Sequence, residues 1–320
     1  MAVATATAPP SRRLPIELIG GWEVGLLIFM ALLYIVGVFI NPVFFGKADA
    51  LHAILRDTAR VGVMAVGMTF VIVNKDLDLS VGSTVGLVAT VFSIAFARSH
   101  YDLDIVSSIV LAVVFGVAIG LINGYLVTAL KVPSFITTLT MLFIGRGLVL
   151  GLTGGKTISY SDKAGSDGTW FFALGGNNAL GFNNQIVIFA IVVLVGMIAL
   201  AKTRWGYETY ATGGNELAAN YSGIPTRHVR IRAYVLSALC ATLAGLMNVA
   251  QDKGVTSQYG QGAELIVIAA VIVGGASILG GRGRVLGSAL GAVLVTLIDK
   301  VLREGIPMTR TVKVGDVEMQ

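Results

Sequence analysis

Four polar residues lie inside long apolar runs of this chain: Asn123, Arg146, Asn248 and Glu264. A polar side chain at membrane depth is costly unless it is paired or hydrated, so each is a candidate for a solute pathway or for a structural hydrogen bond. Amides suit a neutral, hydroxyl-rich solute that must be held weakly and released, whereas Arg146 can instead pair with a carboxylate such as Glu264. No catalytic set stands beside them. His52, His100 and His228 fall in loops or near the ends of apolar runs without a second ligand at helical spacing. The single Cys240 sits in an apolar run, so neither an internal disulfide nor a cysteine metal site is expected. Gly155-Lys156-Thr157 imitates the end of a phosphate loop, but the earlier glycine that loop needs falls at Leu150. Gly281, Gly283 and Gly287 miss the dinucleotide spacing by one residue. The expectation is therefore no catalytic residue, no metal and no cofactor in this chain.

These residues must be positioned by membrane helices. Of 320 residues, 55% are hydrophobic and 13% charged, with a mean hydropathy of +0.81, whereas soluble domains carry roughly 25% charged residues. The net charge of +5 is dispersed in short basic clusters between apolar runs. That is the pattern of membrane loops and not of a nucleic-acid surface. A helix crossing roughly 30 Å of hydrocarbon needs about twenty apolar residues, and about nine segments approach that length. They are 24–40, 61–73, 81–97, 105–130, 134–152, 185–201, 231–250, 263–279 and 285–302. The second is short, and both a break and a backward extension through Leu51 and Ile54 are open. Arg12 and Arg13 precede the first run as in a signal peptide, but no cleavage site follows, so the run is read as an uncleaved first span.

Basic residues orient the spans. Loop 202–232 holds Lys202, Arg204, Arg227, Arg230 and Arg232 against Glu208 and Glu216, which places it in the cytoplasm. Counting outward puts Arg12, Arg13, Lys131, Arg282 and Arg284 on the same side and the Gly/Asn-rich loop 154–184 on the other. The reading is an all-α, polytopic transmembrane bundle with a cytoplasmic tail 1–23, a membrane domain 24–302 and a charged C-terminal segment 303–320. Glycines at four-residue intervals, Gly116-Gly120-Gly124, Gly283-Gly287-Gly291 and Gly82-Gly86, make flat faces for helix packing within the chain or across a dimer. Within loop 202–232, Asn215 can cap a helix of about two turns with Glu216 in its first turn, and Gly223 with Pro225 can end it.

Three stretches carry a resemblance. Leu77-Asp78-Leu79-Ser80-Val81-Gly82-Ser83, then Gly213-Gly214-Asn215-Glu216 with Ser222-Gly223-Ile224, then Ile272-Val273-Gly274-Gly275-Ala276-Ser277 with Gly280-Gly281-Arg282-Gly283 resemble the ribose-type sugar permeases of ABC importers, in that family's order and spacing from about 24 to 302. The resemblance implies a bacterial inner-membrane permease subunit that translocates a monosaccharide or small polyol. It implies that ATP and Mg are bound by a separate ABC ATPase subunit. It also implies a periplasmic solute-binding protein that delivers the solute, and a second permease copy, identical or paralogous, in a lipid bilayer. Gly214, Asn215, Glu216, Ala219, Ser222 and Gly223 then belong to a coupling helix seated in the ATPase. Two departures stand out. The family usually has small residues before Asp-Leu-Ser where this chain has Asn74-Lys75-Asp76, and it usually has one further C-terminal helix, which would make ten spans.

Related permeases carry branched-chain amino acids, although the Asp78-Leu79-Ser80 run favours sugars. An ion-driven secondary transporter would need internal repeats or acidic coupling residues, for which Glu264 and Asp299 are the candidates at span depth. A membrane scaffold subunit is a third, non-transport alternative.

Overall fold

The computed structural model describes residues 20–178 and 181–305, with short stretches at 312–314 and 317–319. Arg12, Arg13 and most of the tail 1–23 lie outside the described residues, as does much of the segment 303–320. The chain runs through α1 (Gly21–Ile40), the single turn α2 (Pro42–Phe45), α3 (Ala48–Val73), α4 (Val81–Phe96), α5 (Ile105–Thr128) and α6 (Ser134–Thr153). An irregular segment with β1 (Ile158–Ser159), α7 (Ser161–Ala164) and α8 (Thr169–Phe172) leads to α9 (Asn184–Lys202), α10 (Arg204–Gly214) and α11 (Glu216–Tyr221). Then follow α12 (Thr226–Asp252), β2 (Gly254–Val255), α13 (Ala263–Val273) and α14 (Val285–Gly305). β1 pairs antiparallel with β2, and β3 (Val312–Val314) with β4 (Val317–Met319).

Among the described residues, six helices are long and apolar enough to cross a membrane: α1, α5, α6, α9, α12 and α14. The other three expected segments differ in instructive ways. The second extends backward to Ala48, giving α3 26 residues, with Arg56, Asp57 and Arg60 along it. α4 and α13 are apolar but have only 16 and 11 residues. At 1.5 Å per residue they reach about 24 and 16 Å, short of the roughly 30 Å of hydrocarbon. The eighth segment, expected to run to Leu279, ends at Val273 because Gly274 and the left-handed Gly275 (φ +92°) close it. The seventh starts at Thr226 and not at Ile231, since Pro225 sets the first turn.

Burial is arranged about α4. Fifteen of its 16 residues are buried, and the most apolar window of α12 beside it is 72% buried, against 17–22% for α1, α6 and α9 at the periphery. The outer helices turn Leu, Ile, Val and Phe outward, the distribution a lipid solvent permits. Several hydroxyls inside the bundle are satisfied on their own helix: Thr69 donates to Ala65 O, Ser93 to Ala89 O and Thr242 to Ala238 O. At the far end of α4 its Phe92 and Phe96 pack with Tyr160, Phe171 and Phe172 of the 154–184 segment, at ring centroid distances of 5.3–5.9 Å.

The glycine rows pack within the chain. On α5, Gly116 faces Thr242, Gly120 faces Val235 and Tyr234, and Gly124 faces Ile231, all on α12. Gly287 and Gly291 of α14 lie against Gly274 and Ala270 of the α13 end, while Gly283 precedes the helix. Backbones approach this closely only where no Cβ intervenes, and dispersion between them is what holds helices together in lipid.

A Cβ on Gly120 would lie 2.8 Å from Val235 Cα and 2.9 Å from Tyr234 O, whereas nothing lies within 4 Å of one on Gly147. Gly120→Val is expected to cost about 2–3 kcal/mol or to prevent folding. Gly147→Val is expected to leave the melting temperature in detergent within about 2 °C of the parent.

Candidate functional site

Two short helices project where α9 turns back into α12. Thr203 Oγ1 accepts from Gly206 N at 3.2 Å and starts α10; Asn215 Oδ1 accepts from Ala218 N at 3.0 Å and starts α11. Six residues are too few for a helix to persist on propensity alone. The Asn215 cap and the left-handed Gly223 (φ +81°), with Ile224 N donating to Ala219 O, fix its two ends. The capped helix expected at Asn215 is α11. The sequence reading missed α10, whose residues are indifferent helix formers; stacking of Trp205 on Phe70, 4.8 Å between ring centroids, anchors it to α3. On α11 only Ala219 is buried, and Leu217 and Tyr221 stand 71% and 91% exposed. Gly214, Asn215, Glu216, Ser222 and Gly223 are also exposed. A leucine and a tyrosine held in the open on a capped helix make a surface fit for a partner.

Arg230, near the start of α12, connects this helix to the interior. Its Nε and Nη2 donate to the two oxygens of Asp76, each at 2.8 Å, and Nη1 reaches Glu216 Oε1 at 3.3 Å. The fork on Asp76 is bidentate, the geometry in which arginine and carboxylate bind most strongly. Asp76 is 5% exposed and belongs to the connection 74–80 between α3 and α4. Arg230 therefore joins α11, α12 and that connection.

Backbone contacts reinforce the joint. α3 ends with Lys75 in the left-handed region (φ +67°), Lys75 N donating to Ile72 O and Asp76 N to Val71 O. α13 ends identically: Gly275 N donates to Ile272 O and Ala276 N to Val271 O. Both endings follow the triplet Val-Ile-Val, at 71–73 and 271–273, and both are Schellman closures. Gly281 N donates to Val73 O at 2.8 Å, and Gly213 is packed against both. Tyr210 Oη donates to Gly283 O at 2.6 Å. The glycine-poor Asn74-Lys75-Asp76 thus still sits in close backbone packing, because Gly213, Gly280 and Gly281 supply the missing bulk allowance from the opposite side.

Further along the connection, Asp78 accepts from Ser80 N at 3.0 Å, Ser80 Oγ at 2.6 Å and Ser237 Oγ at 2.8 Å. Asn123 Nδ2 donates to Ser80 Oγ at 2.8 Å. Asp78, Ser80 and Asn123 are all at most 2% exposed, and Leu79 is buried beside them. The motif that opens α4 is a sealed knot joining it to α5 and α12, and Asn123 belongs to that knot.

Beyond it, Gly82 and Gly86 of α4 receive the segment that leads into α13. The carbonyls of Gly260 and Tyr259 lie against these glycines, and the Glu264 carboxylate lies over Gly82. Arg146 on α6 donates through Nη1 to Tyr259 O at 2.7 Å. The expected Arg146–Glu264 ion pair is not formed; a main-chain carbonyl takes the guanidinium instead, and Arg146 Nη2 and Glu264 Oε2 are buried without partners. Asn248 Oδ1 accepts from Arg60 Nη1 at 2.8 Å. Arg60 also pairs with Asp57 at 2.9 Å, as does Lys300 at 2.9 Å. This charged cluster was missed because the second span was taken to begin at Val61; the i, i+3 spacing of Asp57 and Arg60 was the available signal.

Residues 50–315 match the family model described as "Branched-chain amino acid transport system / permease component". The chain is similar to the ribose import permease protein of Escherichia coli K12, with 35% identity over 263 residues, 82% of this chain and 80% of that one. It is similar to the fructose import permease protein of Bifidobacterium longum, with 36% identity over 258 residues, 80% of this chain and 71% of that one. It is also similar to the autoinducer 2 import system permease protein of Yersinia pseudotuberculosis, with 36% identity over 242 residues, 75% of this chain and 66% of that one. No solved structure matches the chain.

Removing one member of the Arg230 joint leaves a charge with too few partners. Asp76→Ala is expected to destabilise by about 2–4 kcal/mol, and the double variant Asp76→Ala/Arg230→Met by less, in thermal unfolding of the purified protein. Asp78→Ala deprives the Ser80 and Ser237 hydroxyls of their acceptor and is expected to cost about 2–4 kcal/mol in the same assay.

Proposed function

This chain belongs to the family described as "Branched-chain amino acid transport system / permease component", and from that membership we propose that it is the membrane-spanning permease subunit of a bacterial ABC importer for a monosaccharide or related small polyol. It is a multi-pass membrane protein and a transport subunit. Its cargo reading is supported by the relatives, whose names specify ribose, fructose and autoinducer 2. The family description itself favours one second reading, a branched-chain amino acid as cargo. In the proposed assembly ATP and Mg are handled by a separate ATPase subunit, a periplasmic binding protein delivers the solute, and two permease copies surround the path in the inner membrane. α1, α3, α4, α5, α6, α9, α12, α13 and α14 then make nine passages, with α4 as a short interior helix whose non-helical connection 74–80 is largely buried in protein, and α13 as a short helix buried on one face only.

The observation that carries the mechanism is the exposed α11 fastened to the interior by Arg230. α11 is the coupling helix, and Leu217 and Tyr221 are its contact with the ATPase. Motion of the ATPase displaces α11, and Glu216 and Arg230 carry that displacement to Asp76. The connection 74–80 passes it to α4 through the Asp78–Ser80–Asn123 knot. Gly214, Asn215, Ala219, Ser222 and Gly223 preserve the shape of the lever. Among the four polar candidates, Asn123, Arg146 and Glu264 each keep one buried atom without a partner; Asn123 is 1% exposed and bonded to Ser80, Asn248 is engaged by Arg60, and the half-buried Arg146 and Glu264 are favoured for the path.

The test is uptake of a radiolabelled panel of sugars and branched-chain amino acids into proteoliposomes holding this chain, its co-purifying ATPase and its binding protein. Sugar uptake that requires ATP and falls at least about tenfold, about 1.4 kcal/mol, with Leu217→Ala/Tyr221→Ala or Gly223→Val is the expected result. Uptake that needs only an ion gradient, or ATP-driven uptake of leucine alone, would overturn the mechanism or the cargo respectively.

A further inference from the structure

We propose that the cleft between the start of α1 and the connection 274–284 binds the phosphate headgroup of an anionic phospholipid of the cytoplasmic leaflet. The proposal takes from the transport reading only the side of the membrane, which the basic loop 202–232 sets. The cleft has a volume of about 600 Å³, and Gly21, Trp22, Gly275, Gly283 and Arg284 are among the residues that line it. Ligand pockets span roughly 300–1,000 Å³, so there is room for a headgroup.

Trp22, at the head of the first span, is 61% exposed, yet it is not loose. Its Nε1 donates to Val273 O at 3.0 Å, and a Cβ on Gly275 would come within 3.0 Å of the indole. A ring fixed by its polar edge while most of its surface stays open is the disposition tryptophan takes at a membrane interface. Ile278 and Leu279, in the same connection, are exposed as well, an apolar surface suited to acyl chains.

Arg284 supplies the partner for the anion. Its side chain is 53% exposed, and among the described residues its one ion-pair partner is Glu23, at 3.4 Å. The Glu23 carboxylate is buried and already accepts from Gly20 N at 2.9 Å. Most of the five guanidinium donors are therefore unspent. Arg282, also exposed, adds a second positive charge to the connection. Two arginines against one carboxylate favour an anion, and phosphate oxygens match the guanidinium fork. The chain's own residues 1–19 carry Arg12 and Arg13 against Glu17 and so complement this charge poorly. Gly283, one residue before Arg284, accepts from Tyr210 of α10, and Gly281 N donates to Val73 O. A lipid bound here sits on the connection that fastens α10 to the end of α3.

The test uses the purified chain in phosphatidylcholine vesicles, with Trp170→Phe removing the other exposed tryptophan and lipids with brominated acyl chains quenching Trp22. Brominated phosphatidylglycerol is expected to bind about fivefold more tightly than brominated phosphatidylcholine, the advantage of about one basic residue at a charged surface. Arg284→Gln is expected to bring the two lipids to parity. So is Gly21→Leu, which fills the cleft and keeps the charge, since nothing lies within 4 Å of a Cβ at Gly21. Parity in the parent overturns the site. An advantage that survives either variant in folded protein does so too, because it marks diffuse attraction by the basic loops. Loss of the advantage when free glycerol phosphate is added assigns the cleft to a soluble anion and overturns the lipid reading. The assay needs neither ATPase nor solute, so its failure leaves the transport reading standing, and a failure of uptake leaves the site standing.

Discussion

A bilayer offers no water to a stray polar group, and the structure is organised around that constraint. Backbone amides are satisfied within helices, hydroxyls such as those of Thr69 and Ser93 bond back to the carbonyl four residues earlier, and the carboxylate of Asp78 is met by a backbone amide and two serine hydroxyls. Where the chain leaves helical geometry at depth, between α3 and α4 and again before α13, it does so against glycines that let other backbone come close. Packing of these glycines supplies the attraction that the hydrophobic effect supplies in soluble cores.

The same constraint explains how much the sequence disclosed. Apolar length marked the six helices that are long and apolar enough to cross a membrane among the described residues, together with the shorter α4 and α13 and the second half of α3, and the glycine rows at 116–124 and 287–291 proved to be packing faces within the chain. The Asn215 cap was legible since capping chemistry is local. What was illegible depends on tertiary contact. The start of α3 was hidden because Arg56, Asp57 and Arg60 read as loop charges, whereas Asp57 pairs within the helix with Arg60 and across the bundle with Lys300. The end of the eighth segment was hidden because Ile278 and Leu279 read as membrane residues although Gly274 and Gly275 had already closed the helix. Arg146 and Glu264 were flagged by cost alone, and which partner each would find could not be read from spacing.

Arg230 stands between an exposed helix and the interior. On one side it holds Glu216 at 3.3 Å, on a helix that is mostly exposed; on the other it grips Asp76 with two bonds of 2.8 Å in the interior. The unequal grip means that a pull on α11 loosens the Glu216 contact before it disturbs Asp76. A joint graded in this way gives first at its exposed contact and keeps its interior one.

The paired helix endings at Val71–Val73 and Val271–Val273 share their hydrogen bonds but not the residues that follow, Asn74-Lys75-Asp76 in one and Gly274-Gly275-Ala276 in the other. Downstream, Gly82-Ser83 with Gly86 and Gly287-Ser288 with Gly291 repeat as well. Because the shared element is written in main-chain atoms, the residues that follow it are free to differ: at 74–76 they supply the carboxylate that grips Arg230, and at 274–276 their smallness lets Gly287 of α14 pack against the helix end.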